Sequence, residues 1–247
     1  MALKPKFSII TVTYNAASEI EPTLQSVIAQ TYTNYEYLLI DGGSKDDTVA
    51  KAKASGIEFA HIVSEPDKGL YDAMNKGIAL ATGDYLCFLN AGDSFCSADT
   101  LQTIVDAIAG EDELPGVLYG ETAEVNEQRE FVRMRRLQAP DKLTWRSFRH
   151  GMLVCHQAFY ARRDLAPMYD LKYRLSGDVD WCIKVMKRAS KLVKVDAVVV
   201  NYLQNGLSLK HHRASLKERF WIMSKHYGFL PTVGRHLWFV IRAVIKK

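Results

Sequence analysis

The chain has 247 residues, of which 48% are hydrophobic and 24% charged, a balance typical of a globular protein with one sizeable core. Fifteen glycines and seven prolines are too few for a low-complexity or fibrous chain. The net charge of +4 is unevenly spread, because residues 201–247 contain nine Lys or Arg and one acid, Glu218. That segment therefore carries +8, and residues 1–200 carry −4.

The cysteines indicate a reducing compartment, since none of the four belongs to a Cys-x-x-Cys pair. We therefore expect a cytoplasmic protein. The amino-terminal residues lack the long apolar region of an export signal. Near the other end, residues 237–245 are apolar but interrupted by Arg242, too short a stretch to cross a bilayer.

Strand-like and helix-like runs alternate through the first ninety residues. Strands are predicted at 7–14, 35–41, 59–63 and 85–89, and helices follow the first three of them, at 20–28 with Ser18 as the cap, at 46–53 and at 70–81. This alternation predicts an α/β fold with a mostly parallel central sheet and helices on both faces.

The second half of the chain is less regular. Further strands are predicted at 117–121, 151–160 and 193–202, and a helix at 178–188. Residues 128–149 gather six arginines between aromatic side chains, a composition typical of a binding surface.

Polar clusters end the predicted strands of the first half. They are Thr13-Tyr14-Asn15, Asp41-Gly42-Gly43-Ser44, Ser64-Glu65-Pro66-Asp67 and Asn90-Ala91-Gly92-Asp93. Ligands of open α/β sheets bind beyond the carboxyl ends of the strands. The sequence therefore predicts a binding site at this edge.

Two common classes of nucleotide-binding protein are disfavoured. No Gly-x-Gly-x-x-Gly follows the first strand, and no Gly-Lys-Ser/Thr occurs anywhere, which argues against dehydrogenases and P-loop NTPases. Nucleotidyltransferases, which use a glycine-rich basic loop after the first strand, are disfavoured as well, because residues 13–20 contain neither a glycine nor a basic residue.

Six ordered motifs carry a family resemblance. They are residues 8–15, 41–48, 64–77 (Ser-Glu-Pro-Asp-Lys-Gly-Leu-Tyr-Asp-Ala-Met-Asn-Lys-Gly), 88–93 (Phe-Leu-Asn-Ala-Gly-Asp), 156–158 and 177–181 (Gly-Asp-Val-Asp-Trp). In order and spacing the chain resembles the family-2 glycosyltransferases with the GT-A, Rossmann-like nucleotide-diphospho-sugar transferase fold. The stretch 64–77 resembles most the colanic-acid-type exopolysaccharide enzymes.

The resemblance covers about residues 7–205 and implies a domain organisation. A catalytic domain would span 1–205, with a nucleotide-sugar half at about 1–95 and an acceptor half at about 96–205. Residues 206–247 would form a basic amphipathic helical segment. The implied activity is transfer of a sugar from a nucleoside-diphosphate-sugar donor to a glycan or lipid-linked acceptor.

The resemblance also implies a set of donor-binding residues: Thr13, Tyr14, Asn15, Asp41, Gly42, Ser44, Asp67, Asn75 and Asn90. Asp41 would accept the N–H groups of the base, and the ring of Tyr14 would stack on it. Alternatively, Asp41 caps a helix over 44–54, and Asp67 caps the helix that begins near residue 70.

A metal is implied after the fourth strand, where the family usually has Asp-x-Asp holding Mn²⁺ or Mg²⁺. Here Asn90 departs from that pattern, and Asp93 is the candidate ligand. One carboxylate with phosphate oxygens and waters suffices for a hard cation, although binding without nucleotide should be weak. The alternatives are that Asp93 caps a helix and that His211 or His212 completes the metal shell.

The resemblance implies that Asp178 is the general base of an inverting transfer, which takes the proton of the acceptor hydroxyl. At the start of a helix Asp178 would also serve as an N-cap. Gly177 replaces the family's usual Glu, and Asp180 is the competing carboxylate. His156 and Gln157, in the predicted strand 151–160, are expected on the acceptor side together with Asp180. A buried core role for His156 is the alternative.

The carboxyl-terminal segment mixes Lys and Arg with large apolar residues, including Trp221 and Trp238. This pattern favours peripheral binding to the inner face of a membrane. The alternatives are packing on the core and formation of a homodimer. Nucleic-acid binding is not expected, because no such motif accompanies the charge. The overall hypothesis is a metal-dependent glycosyltransferase, and the alternative is an inactive nucleotide-sugar-binding scaffold.

Overall fold

The computed structural model describes residues 3–204 and 212–245, and the side chains of 3–204 and 213–238. Nine strands in this part of the chain form one mixed sheet surrounded by helices. The strands are β1 Phe7–Thr13, β2 Tyr35–Asp41, β3 His61–Ser64, β4 Tyr85–Phe88, β5 Ser94–Phe95, β6 Val117–Val125, β7 Phe131–Met134, β8 Phe159–Arg162 and β9 Leu192–Leu203. The helices are α1 Ile20–Ile28, α2 Thr48–Ala54, α3 Leu70–Leu80, α4 Thr100–Asp106, α5 Gly177–Arg188, α6 His212–Tyr227 and α7 Phe229–Ile245. Short 3-10 helices occupy Trp145–His150, His156–Ala158 and Arg163–Leu165.

The sheet order is β3-β2-β1-β4-β8-β6-β9-β5, with β7 pairing to β6. Strands β1 to β4 run parallel, and β6 and β9 share their direction, whereas β5, β7 and β8 are antiparallel to their neighbours. Thr13 lies opposite Asp41, and Asp41 lies opposite Ser64. The predicted α/β fold is confirmed, and three of the polar strand ends meet at one edge.

The core lies along both faces of the central strands. All seven residues of β1 are buried, as expected for a parallel strand covered on both sides. Helix α3 approaches β1 closely at Gly77, where an added Cβ would come 2.5 Å from Ile10 Cγ2. This contact fixes the start of α3 over the carboxyl ends of the strands.

Several predicted elements differ from those observed. The strand expected at 151–160 forms only from Phe159 to Arg162, because residues 156–158 turn as a 3-10 helix. Ser18 does not cap α1, which begins at Ile20. Helix α2 begins at Thr48, since the Asp46 carboxylate already accepts the Thr48 N–H at 3.1 Å.

Helix α6 is attached to the rest of the molecule by buried contacts. The Glu218 carboxylate accepts the backbone N–H groups of Arg174, Leu175 and Ser176 at 2.5–2.8 Å. Ile222 is fully buried, and the Tyr227 ring stacks on Trp145 with centroids 5.6 Å apart. Helix α6 therefore packs on the core, which is the alternative left open for this segment, and the boundary near residue 205 stays a prediction.

Helix α7 exposes large apolar side chains. They are Phe229 (54% exposed), Leu230 (78%), Leu237 (60%) and Trp238 (53%). Among the described residues, no helix is long and apolar enough to span a bilayer.

We expect Glu218→Ala to lower the free energy of unfolding by about 1–3 kcal/mol, because three backbone N–H groups, two of them partly buried, lose a charged acceptor. Lys217→Ala, at the exposed neighbouring position, should change it by less than about 0.5 kcal/mol. Urea unfolding measures both values. Equal effects of the two substitutions would contradict this role of Glu218.

Candidate functional site

The loop after β2 is organised by the Asp41 carboxylate, which is 1% exposed. It accepts the N–H groups of Gly43 (3.1 Å) and Ser44 (2.9 Å), the Ser64 hydroxyl (2.6 Å) and the Ser44 hydroxyl. Helix α2 begins only at Thr48, so Asp41 does not cap it. These bonds engage Oδ2 three times and Oδ1 once, which leaves Oδ1 one lone pair for a ligand.

Tyr14, Gly42 and Asp67 form an open face beside this loop. The Tyr14 ring is 62% exposed. A Cβ on Gly42 would lie 2.5 Å from Asp67 Oδ2 and 3.4 Å from Tyr14 Cδ2, so only glycine lets both side chains approach the backbone. An exposed aromatic ring next to a carboxylate suits a nucleoside, by stacking on the base and by accepting hydroxyl or N–H donors.

The other predicted donor residues have mostly local partners. The N–H of Asn15, a residue with φ of 47°, donates to the Ser44 hydroxyl, and Asn15 Oδ1 accepts the Lys45 N–H. Thr13 Oγ1 is buried without a hydrogen-bond partner among the described residues. The Asn75 amide binds both the N–H (2.6 Å) and the C=O (3.1 Å) of Tyr169. This gives Asn75 a structural role in fixing the loop before α5.

The turn after β4 contains the predicted metal residue. Asp93 is 4% exposed, with Oδ2 accepting the Gln157 amide at 2.7 Å and Oδ1 accepting the Leu203 N–H at 3.1 Å. Burial raises the pKa of Asp93 to about 7, opposed by these two bonds and by the charge of Arg129. A strand, β5, follows Asp93, so the alternative role as a helix cap is wrong.

The residues at this turn fit a divalent metal whose remaining coordination positions are filled by phosphate and water. Asn90 Oδ1 is buried with no hydrogen-bond partner in the described part of the chain, and each Asp93 oxygen retains a lone pair. No group of three or more Asp, Glu, His or Cys residues gathers there for a metal in the described ranges. Mg²⁺ is commonly held by one or two protein oxygens, with phosphate and water supplying the rest. The His211 and His212 side chains lie outside the described residues.

Asp178 lies in the first turn of α5 and is half-buried. Its Oδ1 accepts the Tyr71 hydroxyl at 3.2 Å and the Val179 N–H at 3.0 Å, while among the described residues no donor contacts Oδ2. The residue at the N-cap position is Ser176. Asp178 therefore keeps one oxygen available to accept a proton.

Gly177 allows Tyr71 to reach Asp178. A Cβ at residue 177 would lie 2.9–3.2 Å from three atoms of the Tyr71 ring. Tyr71 is 4% exposed and stacks on Tyr169 with centroids 5.1 Å apart. The ring thus fills the space that a side chain at 177 would need.

His156 and Gln157 are both buried because the 3-10 helix turns both side chains inward. His156 Nε2 lies 2.5 Å from the Tyr169 hydroxyl, and the imidazole stacks on Phe88. Burial lowers the pKa of His156 to about 4, so the ring is neutral at neutral pH. A continuous series of contacts therefore links the two carboxylates of the site. Asp93 binds Gln157, whose neighbour His156 binds Tyr169. Tyr169 stacks on Tyr71, which binds Asp178.

Asp180 is removed as a candidate base. Its carboxylate is 1% exposed and binds Lys184 Nζ at 2.5 Å, His226 Nε2 at 2.7 Å and Lys225 Nζ at 3.1 Å. These partners hold the pKa of Asp180 well below its usual range despite burial. Helix α6 is the main reason that Asp180 is unsuited to act as a base, because it supplies two of the three partners.

Sequence reasoning missed the roles of Tyr71, Tyr169 and Arg129. Tyr71 lies in the first turn of α3, but its bond to Asp178 crosses 107 residues of sequence. Arg129, with φ of 67°, donates to the Gly92 carbonyl. No local pattern marks either contact.

A mostly parallel sheet with polar loops at one edge, and a carboxylate on a helix beside it, is the arrangement of a GT-A glycosyltransferase. Residues 8–166 match the model of Glycosyl transferase family 2, and the chain belongs to that family. A PGL/p-HBAD biosynthesis glycosyltransferase of Mycobacterium bovis is 36% identical over 209 residues, covering 82% of this chain and 78% of that protein. The amylovoran biosynthesis glycosyltransferase AmsB of Erwinia amylovora is 27% identical, covering 87% and 76%.

Solved structures agree on the fold. S. aureus TarS 1-349 in complex with UDP-GlcNAc superposes with a TM-score of 0.73 at 16% identity, covering 95% of this chain and 73% of that one. The same protein in complex with UDP superposes with a TM-score of 0.68, covering 89% of this chain and 65% of that one. In a further S. aureus TarS structure the chain spans 38% of that protein. The predicted GT-A fold is confirmed.

We expect Asp93→Asn to change how stability depends on pH. The folded pKa of about 7 exceeds the value of about 4 for an unfolded aspartate. Between these values the folded state retains a proton that the unfolded state has lost. The free energy of unfolding of the unsubstituted protein should therefore fall as pH rises, by up to about 1.4 kcal/mol per pH unit.

Urea unfolding at about pH 5 and about pH 7 measures this slope. Asp93→Asn should abolish this contribution, whereas Asp112→Asn, at an exposed loop position, should keep it. The same slope in all three proteins would contradict the assignment to Asp93.

Proposed function

We propose that the chain transfers a sugar from a nucleoside-diphosphate-sugar donor to a glycan acceptor, with inversion and with Asp178 as the general base. The observation that carries the proposal is the half-buried Asp178 carboxylate, with Oδ1 bound to Tyr71 and Val179 and with no donor to Oδ2 in the part of the chain that the structure describes. A carboxylate held through one oxygen presents the other to an acceptor hydroxyl.

The donor would occupy the face formed by Tyr14, Gly42 and Asp67. Tyr14 would stack on the base, and the remaining lone pair of Asp41 would accept one of its N–H groups. The likeness to S. aureus TarS, which has been solved with UDP and UDP-GlcNAc, supports a donor of this chemical class.

A divalent metal, Mn²⁺ or Mg²⁺, would be held by Asn90 Oδ1 and Asp93 together with the donor diphosphate. When bound, it would neutralise charge on the departing nucleoside diphosphate. Asp93 is already fastened to Gln157 and Leu203, so Asn90 is the more available protein ligand.

The acceptor would be lipid-linked, and the enzyme would act as a peripheral protein at the cytoplasmic face of a membrane. Exposed Phe229, Leu230, Leu237 and Trp238 on α7, in a segment of +8, support this location. A role in exopolysaccharide assembly of the colanic-acid type is supported by the likeness to the amylovoran biosynthesis glycosyltransferase.

We expect Asp178→Asn to lower transfer about 10²–10⁴-fold, because the amide cannot accept the proton, while UDP binding measured by calorimetry is unchanged. Tyr71→Phe keeps the ring beside Gly177 and removes the hydroxyl, so transfer should fall about tenfold. Tyr32→Phe, which removes a hydroxyl bound to Pro5 O at the opposite edge, is the matched control.

Turnover by Asp178→Asn at the unsubstituted rate would remove the base mechanism. A protein that binds UDP but transfers no sugar from any donor in a panel, with metal present, would instead be the nucleotide-sugar-binding scaffold.

For the metal, we expect UDP to raise the melting temperature more with Mn²⁺ than with a chelator, since ligand binds only the folded state. Asn90→Ala should lose the part of the shift that depends on Mn²⁺. Asn34→Ala, whose amide binds Lys4 O at the far edge of the sheet, should retain it. Equal shifts with Mn²⁺ and chelator would contradict metal binding.

A further inference from the structure

A cavity of about 380 Å³ opens between α7, the end of α6 and the 3-10 helix Trp145–His150. It lies apart from the donor loops. Its lining includes Arg149, Met223, Tyr227, Thr232, Arg235 and Trp238.

The cavity is positively charged. The Arg149 guanidinium lies over the Tyr227 ring at 5.7 Å, and Arg235 Nη1 donates to His150 Nδ1 at 3.4 Å. Burial and the charges of both arginines lower the pKa of His150. No carboxylate lines the cavity within the described part of the chain, so the two arginines face it without a neutralising acid.

The cavity is bordered by exposed apolar side chains in a segment of the sequence that is rich in basic residues. Leu237 and Trp238, on the same helix as Arg235, are more than half exposed. The sequence from Arg219 to Lys247 contains six Lys or Arg and no acid. A basic cavity beside exposed Leu and Trp side chains matches a molecule with an anionic head and an apolar tail.

The cavity is also connected to the acceptor side of the site. The 3-10 helix Trp145–His150 contacts both α5 and α7. His226, next to Tyr227, binds Asp180, which shares the first turn of α5 with Asp178. A ligand in the cavity would therefore lie beside elements that pack on α5, the helix that carries the proposed base Asp178.

We propose that Arg149 and Arg235 bind the phosphate of the lipid carrier to which the acceptor glycan is attached, while the exposed apolar side chains of α7 enter the adjoining membrane surface. The planar guanidinium binds phosphate oxygens in pairs, which a diffuse basic surface does not. This inference rests on the proposed function only in that the acceptor is lipid-linked.

The test compares vesicles of phosphatidylcholine that carry either polyprenyl phosphate or phosphatidylglycerol at equal negative charge. The full chain should bind the polyprenyl phosphate vesicles more tightly. Arg149→Gln/Arg235→Gln should lose this preference, with about tenfold weaker binding or more. Lys53→Gln/Lys142→Gln, which removes two charges at exposed positions elsewhere, should keep it.

Two single variants guard against loss of folding. Arg235→Gln leaves the Arg149–Tyr227 contact in place and should give an intermediate loss. Arg235→Lys retains the charge without the planar fork, so its preference for polyprenyl phosphate should fall by no more than in Arg235→Gln, while binding to phosphatidylglycerol vesicles stays at the unsubstituted level.

Equal binding by the cavity variants and the control would overturn the proposal, as would equal binding of the full chain to both anionic vesicles. A rise in melting temperature with inorganic phosphate as large as with polyprenyl phosphate in detergent would also overturn it, in favour of a soluble phosphate. Unchanged UDP binding by the variants would show that the substitutions act at the cavity and leave the donor site intact. Loss of vesicle preference with normal transfer to a lipid-free acceptor therefore separates this proposal from the base mechanism.

Discussion

The site depends on one buried carboxylate, Asp93, which joins three distant segments of the chain. Its oxygens bind the Gln157 amide and the N–H of Leu203, so the turn after β4, the 3-10 helix before β8 and the end of β9 are held at one point. Removal from water disfavours the charged form, and the two hydrogen bonds and Arg129 offset part of that effect. The same residue therefore fixes the turn at which the divalent cation is proposed to bind.

The two sides of the site are built differently. On the donor side, loops after parallel strands are stabilised by short-range bonds to Asp41, and the exposed Tyr14 ring remains open to a ligand. On the proposed acceptor side, the Asp178 carboxylate contacts Tyr71, and Tyr169 stacks on both Tyr71 and Trp181. The first arrangement provides an accessible surface, whereas the second restricts the motion of a single carboxylate.

The strand ends were predictable from sequence because each buried run stops at a polar residue, and parallel pairing then brings Thr13, Asp41 and Ser64 together. The different surroundings of Asp178, which was predicted to be the base from the resemblance, and of Asp180 were not predictable. Both lie in the first turn of α5, and their difference comes from Lys225 and His226 on a helix some 45 residues later. The inward position of Gln157 beside His156 was likewise missed, since a 3-10 turn replaces the alternation of a strand, whereas a buried His156 was one of the two alternatives.

The contact between Tyr71 and Gly177 restricts how this chain can change. Any side chain at 177 would meet the Tyr71 ring at about 3 Å, closer than carbon atoms ordinarily pack. A glutamate at 177 therefore requires a smaller residue at 71, which would also end the hydrogen bond to Asp178. The two positions are therefore coupled: a side chain can be introduced at 177 only when the residue at 71 is replaced by a smaller one.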